Sequence, residues 1–185
     1  MKKVLLASLF ASLIYANGEV YSDIVKPVFA DENAKSSIGR LLPTNGVKIL
    51  EKSGKKLKIQ VQGYLNPAAP NVLYYSDKDR IFTLAFAKTA NFKTELVKKG
   101  ENGKWDLVKT SVWVDDGDFY DDVKPLFARA AEIYQNSCGV CHSLHQPNQY
   151  NANQWPNLLK SMLSRTAIEK KDEWLITEYL QKHAK

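Results

Sequence analysis

Between residues 17 and 115 the apolar positions come in short runs, some of them alternating with polar ones. Val47-Lys48-Ile49-Leu50 and Leu57-Lys58-Ile59-Gln60-Val61 flank the turn-like stretch Lys52-Ser53-Gly54-Lys55. That arrangement predicts a β-hairpin centred on Gly54. Further apolar runs at Val72–Tyr75, Ile81–Phe86 and Val108–Val114 predict strands, with Pro67, Pro70, Gly100 and Gly103 between them. Short strands at this spacing suggest a small barrel or sandwich.

Beyond the polar break Asp115-Asp116-Gly117-Asp118 the apolar period lengthens. Leu126, Phe127, Ala130, Ile133 and Tyr134 recur at helical spacing, with Pro125 placed where a first turn tolerates it. Asn153 and Pro156 predict the start of a short helix carrying Leu158, Leu159 and Met162. Thr166-Ala167-Ile168-Glu169 fits a capping box, and a helix after it would place Ile176, Tyr179, Leu180 and His183 on one face. The expected class is therefore α+β, with a β module at 17–115 and a helical module at 116–185.

Residues 1–16, MKKVLLASLFASLIYA, read as a secretory signal peptide. Lys2 and Lys3 form a basic start, Val4 to Ile14 an apolar run, and Ala16 a small residue before the cut. An uncleaved anchor is the alternative, and no other segment approaches the roughly 20 apolar residues of a membrane span. The expectation is export, which in a bacterium means the periplasm, without stable membrane insertion.

Charge changes the picture only in part. The 185 residues hold 26 Lys and Arg against 20 Asp and Glu, a net of +6. Residues 17–115 carry 16 basic and 11 acidic side chains, while 116–185 carry 8 and 9. The excess belongs to the β module, where Lys52, Lys55, Lys56 and Lys58 cluster on the expected hairpin. A solvated hairpin and a docking patch are both open readings. The acidic run Asp115, Asp116, Asp118, Asp121 and Asp122 is open to the same two readings, a second docking surface or a solvated linker. No basic motif interleaved with aromatics points to nucleic acid.

The two cysteines are both found in Cys138-Gly139-Val140-Cys141-His142. Two thiols three positions apart can each add to one vinyl group of the same haem, and the adjacent imidazole is then an axial ligand. A thioredoxin-type dithiol would want a βαβ surround, and a zinc site two more ligands at finger spacing. For the sixth ligand, Met162, His183 and an open position compete. His145, three residues after His142, would stay on the proximal side. Met162 is the only thioether left once Met1 departs with the signal peptide, and it is the preferred candidate. Leu126, Tyr134, Trp155, Leu159, Trp174 and Tyr179 are the expected walls. A helical module this small gains a needed staple from a covalently fixed haem.

An amphipathic helix, C-x-x-C-H, a Met and a terminal helix ending in Glu178-Tyr179-Leu180 resemble class I c-type cytochromes. The stretch Cys138–His145, with Ala152-Asn153-Gln154-Trp155-Pro156 and Ser161-Met162, is similar to the C-terminal monohaem domain of the pentahaem cytochromes that serve trimethylamine N-oxide reductase. Leu41–Glu51 resembles the SH3-like segment preceding that domain. The resemblance implies a small SH3-like β-barrel followed by an all-α class I-like cytochrome c domain. It implies one covalent haem c, held by Cys138 and Cys141 and ligated by His142 and Met162.

With a single C-x-x-C-H, the implied role is a relay rather than a quinol oxidase. A membrane quinol-oxidising cytochrome would be the donor, and a molybdopterin N-oxide or S-oxide reductase the acceptor. That role is electron transfer and not enzyme catalysis. Two other classes stay open: a peroxidase-like or gas-reacting haem protein with an open distal site, and a redox-sensing or docking module.

Overall fold

The structure is a computed structural model that describes residues 18–185; the segment read as a signal peptide lies outside the described residues. The hairpin forms as the pattern predicts. Strands β4 (Val47–Ser53) and β5 (Lys56–Leu65) pair antiparallel, Val47 opposite Val61 and Ser53 opposite Lys56. Gly54 turns between them at φ +55°, a conformation that costs glycine little. Along β5 Leu57, Ile59 and Val61 are buried while their neighbours face outward, the period of two that a half-buried strand requires.

Five shorter or later strands complete a closed ring. They are β2 (Lys26–Phe29), β3 (Gly39–Leu41), β6 (Val72–Tyr74), β7 (Phe82–Phe86) and β9 (Asp106–Asp115). The hydrogen-bonded order β5-β6-β7-β3-β2-β9 returns to β5, because β9 pairs with β5 over the whole of the latter, from Lys56 opposite Asp115 to Leu65 opposite Asp106. Closure removes the open edges that a sheet of this size would otherwise expose. The interior holds Val28, Leu41, Val47, Leu57, Ile59, Val61, Leu73, Leu84, Phe86, Val108, Val112 and Val114. Gly39 marks one tight seam: a Cβ there would lie 2.4 Å from the Ala85 carbonyl oxygen across the β3–β7 pair. Strand β8 (Glu95–Lys98) hangs on the free side of β9, and β1 (Tyr21–Ser22) pairs with β10 (Phe119–Tyr120).

Three helices follow: α1 (Lys124–Cys138), α2 (Trp155–Met162) and α3 (Glu173–Lys182). They are docked on the barrel by polar contacts. Arg129 of α1 reaches Asp23 at 2.6 Å and Asp172, the residue before α3. The Lys182 ammonium donates to the Thr44 carbonyl and hydroxyl, both at 3.0 Å, and to Asn45 Oδ1 at 3.1 Å. The Arg80 backbone N–H donates to Asn153 Oδ1 at 2.7 Å, and Gln181 Nε2 donates to the Arg80 carbonyl at 3.5 Å.

These contacts correct the expected fold. The chain is mostly β, and the all-α class I-like cytochrome domain is not there. The three helices have 15, 8 and 10 residues. Between them, Pro147–Gln149 and Leu163–Arg165 form only single 3-10 turns. The helical period was real but too brief. Pro147, Asn151 and Asn153 keep the chain extended or turning between α1 and α2, where helix propensity is poor. The capping box also fails. Thr166 Oγ1 donates back to the Leu163 carbonyl at 3.0 Å, closing the turn behind it, and α3 starts seven residues later. Strands β1, β2, β3, β8 and β10 were not anticipated; each has four residues or fewer, too few to display a period.

Candidate functional site

Helix α1 begins with Pro125 in its first turn, where the missing N–H costs nothing. Leu126, Ala130 and Tyr134 are its buried face, each four residues from the next, and this stripe presses it toward α3. It ends at Cys138. The Gly139 N–H then donates to the Gln135 carbonyl at 3.0 Å, and a Cβ at Gly139 would stand 2.7 Å from that same oxygen. Glycine between the cysteines therefore lets the chain leave the helix tightly, bringing Cys141 and His142 back beside Cys138.

The loop that follows is held by two buried aromatic side chains. The Tyr134 hydroxyl donates to the His145 carbonyl at 2.9 Å, and Trp155 Nε1 donates to the Pro147 carbonyl at 2.8 Å. Rings continue from one to the next: His142 to His145 at 5.6 Å, His145 to Tyr150 at 5.4 Å, Tyr150 to Trp155 at 5.2 Å and Tyr134 to Trp155 at 6.1 Å. The last three are edge-on, the arrangement ring quadrupoles favour.

Between this loop and α2 lies a solvent-open cleft of about 340 Å³. Cys138, Cys141, His142, His145 and Met162 all line it, together with Leu144, Tyr150, Trp155, Leu158 and Leu159. Of the walls anticipated from sequence, Tyr134, Trp155 and Leu159 are present. Leu126 packs with Ala130 and Leu175 instead, Tyr179 lies behind the cleft walls between that group and the Tyr134–Trp155–Leu159 cluster, and Trp174 stacks on Phe82 with Arg40 over its ring. His183 is not at the cleft. Its Nδ1 donates to the Tyr179 carbonyl at 2.8 Å and its ring stands edge-on to Phe127 at 4.9 Å. The sequence reading missed Leu144, Tyr150 and Arg165; the first two carried no more signal than an isolated apolar or aromatic residue in a loop.

Protonation within the cleft is set by its neighbours. A carbonyl only accepts, so in the 2.8 Å contact between His142 Nδ1 and the Ser143 oxygen Nδ1 is the donor, and Nε2 is the ring nitrogen left for another partner. Burial pushes the Cys138 thiol above its usual range and the Tyr134 phenol up to about 12. Both thiols are free rather than joined to each other.

This donor set fits a haem. Two free thiols, an imidazole with an open nitrogen and a thioether border one apolar-walled cleft, which is what a flat, largely apolar, doubly tethered ring needs. A small ion would need its ligands around a point. Among the described residues no three His, Cys, Asp or Glu side chains converge in that way.

The two surfaces marked for docking from sequence turn out to face each other. Lys52 pairs with Asp116, and Lys56 with Asp115 at 3.1 Å; Lys26, almost fully buried, lies 3.7 Å from Asp118. The hairpin lysines and the acidic run thus partly cancel. Lys48 and Lys55 are the hairpin cations left in solvent.

Comparison with known proteins places the chain among c-type cytochromes. The family described as the TorC third cytochrome c domain matches residues 15–119, which contain the barrel and stop short of α1. The chain is 29% identical over 170 residues to the cytochrome c-type protein TorC of Escherichia coli O157:H7, covering 89% of this chain and 44% of that protein. The TorC of Escherichia coli K12 gives the same figures. The cytochrome c-type protein TorY of Haemophilus influenzae is 25% identical over 167 residues, covering 85% of this chain and 45% of that one. The chain therefore spans less than half the length of these curated relatives. No solved structure matches it. No helix among the described residues is long and apolar enough to cross a membrane.

Proposed function

The chain belongs to the TorC third cytochrome c domain family, and from that premise we propose that it is a periplasmic monohaem electron carrier of trimethylamine N-oxide respiration. Residues 1–16 are the export signal, 17–115 the barrel module and 116–185 the haem-binding segment. The donor is a membrane quinol-oxidising cytochrome, and the acceptor a molybdopterin reductase of N-oxides or S-oxides.

The observation that carries this reading is the gathering of Cys138, Cys141, His142 and Met162 on one apolar cleft. Cys138 and Cys141 would tether the haem through their sulfurs, and His142 would hold the iron through Nε2, the ring nitrogen not engaged by the Ser143 carbonyl. Met162, 39% exposed at the end of α2, would be the second residue of the chain to hold the iron. When bound, the haem supplies the Fe(III)/Fe(II) couple. The chain itself orients the ring, keeps water from its inner face with Trp155, Leu159 and Tyr150, and raises the potential by offering a thioether instead of a second imidazole.

Addition of carbon monoxide to the reduced protein at neutral pH tests the proposal against a gas-reacting or peroxidase-like haem. If His142 and Met162 both hold the iron, the spectrum should stay unchanged over minutes. Rapid formation of a carbonyl spectrum would mean an open distal site and contradict the carrier reading.

A further inference from the structure

The barrel closes on itself, but β8 lies outside the ring with an edge that no strand among the described residues covers. All four of its residues are exposed. Leu96 and Val97, at 60% and 44%, are the only adjacent pair among the large exposed apolar side chains of the described residues. A strand edge of this kind offers unpaired N–H and C=O groups to another strand. The pairing of β8 with β9 shifts register between Leu96 and Lys98. Such a bulge twists the edge, so it rejects a long flat partner and admits only a short match.

The charges around this edge are complementary to themselves. In antiparallel strands related by a two-fold axis, one residue stands opposite its own copy and its neighbours pair symmetrically about it. With Val97 on the axis, Glu95 falls opposite Lys99 of the second copy, and Lys93 opposite Glu101. Each of these ion pairs is then made twice. With Leu96 on the axis instead, Glu95 would face Val97 and Lys93 would face Lys99, a repulsive match. Within one chain Glu95 reaches Lys109 and Lys99 reaches Asp106, but the Glu95 and Lys99 side chains are 76% and 75% exposed, so these are surface pairs of small worth. Lys93 and Glu101, both exposed, enter no ion pair among the described residues.

We infer that β8 is a dimerisation edge, which pairs antiparallel with β8 of a second copy of this chain about a two-fold axis at Val97. Backbone hydrogen bonds join the two sheets, Leu96 and Val97 shed water against the second copy, and charge selects the register. The contact is small, so the dimer is weak and reversible. No residue of β8 lines the cleft. The dimer requires no haem and stands apart from the electron-carrier reading.

Sedimentation equilibrium of the full exported chain, from micromolar to millimolar concentration, reads the association. Wild type should dimerise reversibly in the upper part of that range. Glu95→Lys and Lys99→Glu proteins should each associate at least about fivefold more weakly, because each sets like charges opposite one another at two places. An equimolar mixture of the two should recover wild-type strength to within about twofold, since the facing charges are again of opposite sign. Val97→Asp protein, with two carboxylates meeting on the axis, should stay monomeric. Leu50→Asp protein, altered at the exposed apolar residue of β4, should associate like wild type. Wild type that remains monomeric throughout would overturn the inference and leave the edge to some other chain. A mixture no stronger than either single variant, or an association lost in Leu50→Asp and kept in Val97→Asp, would overturn it as well.

Discussion

Glu178 and Lys182, four residues apart on α3, form an ion pair of 3.1 Å with side chains only 0% and 3% exposed. The carboxylate also accepts from Asn45 Nδ2 at 3.5 Å, while its other oxygen is buried with no partner among the described residues. The pair is the main polar joint between the barrel and the last helix. Removing one member strands a charge. Glu178→Ala should destabilise the protein by about 3–5 kcal/mol in urea unfolding, and Glu178→Leu/Lys182→Met should recover part of that but not all, because it also removes the Lys182 donor from Thr44 and Asn45. A double variant as unstable as the single one would show that the pair itself, and not the stranded charge, holds the joint.

The same pair gives stability a pH dependence of definite sign. Burial drives the Glu178 carboxyl up to about 7, above its ordinary 4.5, and drives the Lys182 ammonium down. A carboxyl whose pKa is raised by folding binds its proton more tightly in the folded state. Its stabilising contribution is full below about 4.5 and is lost as pH rises through about 7. The unfolding free energy of wild type relative to Glu178→Gln should thus fall between pH 5 and pH 8. A difference that stays flat or rises would contradict the assignment. Lys182 acts in the opposite, alkaline range, its contribution being full above the ordinary lysine pKa and lost as pH falls.

Arg129 ties three parts of the chain together. Its guanidinium holds Asp23 before β2 and Asp172 before α3, each with a side chain 9% exposed, and the Tyr120 hydroxyl donates to the same Asp23 carboxylate at 3.4 Å. Arg129→Ala leaves two shielded carboxylates unpaired and should cost about 1–3 kcal/mol, the partial exposure of the arginine reducing the penalty. Arg129→Lys should recover little, because one ammonium cannot span both acids as the fork does. Full recovery by lysine would show that charge alone suffices.

The sequence was most legible where local chemistry decides structure. The Gly54 hairpin and the start of α2 beside Pro156 follow from turn and proline signals. The cleft was legible to the extent that Cys138, Cys141, His142 and Met162 were named together. What was hidden depends on distant parts of the chain meeting. Ring closure rests on β9 pairing with both β5 and β2. Glu178 and Lys182 look in sequence like an ordinary solvated pair at helical spacing, and only the approach of Thr44 and Asn45 makes them interior. Thr166 misled because a hydroxyl that can cap a helix start closes a preceding turn equally well.

Loss of the thiols should loosen one part of the molecule and spare the other. The barrel has its own apolar interior, whereas Trp155 and Leu159 of α2 border the cleft. In Cys138→Ala/Cys141→Ala protein, hydrogen exchange should accelerate in α2 and in residues 143–154 while β5 and β9 keep wild-type protection. Uniform protection throughout would show that a haem contributes nothing to the order of this segment.

Met162 can be separated from His183 by spectroscopy. Oxidised wild-type protein should show the weak far-red absorption of thioether-to-iron charge transfer. Met162→Ala should lose it, and His183→Ala should keep it, since that ring is turned to Phe127 and Tyr179. Retention of the band in Met162→Ala would remove Met162 from the ligand set.

The intact mass of the exported protein, made in cells able to mature c-type cytochromes, tests the account most directly. Wild type should carry the mass of one haem on a chain beginning after Ala16, with a reduced pyridine spectrum of the c type. Cys138→Ala/Cys141→Ala protein should carry none. A wild-type chain at its bare polypeptide mass, or with haem removable by acid and organic solvent, would contradict it.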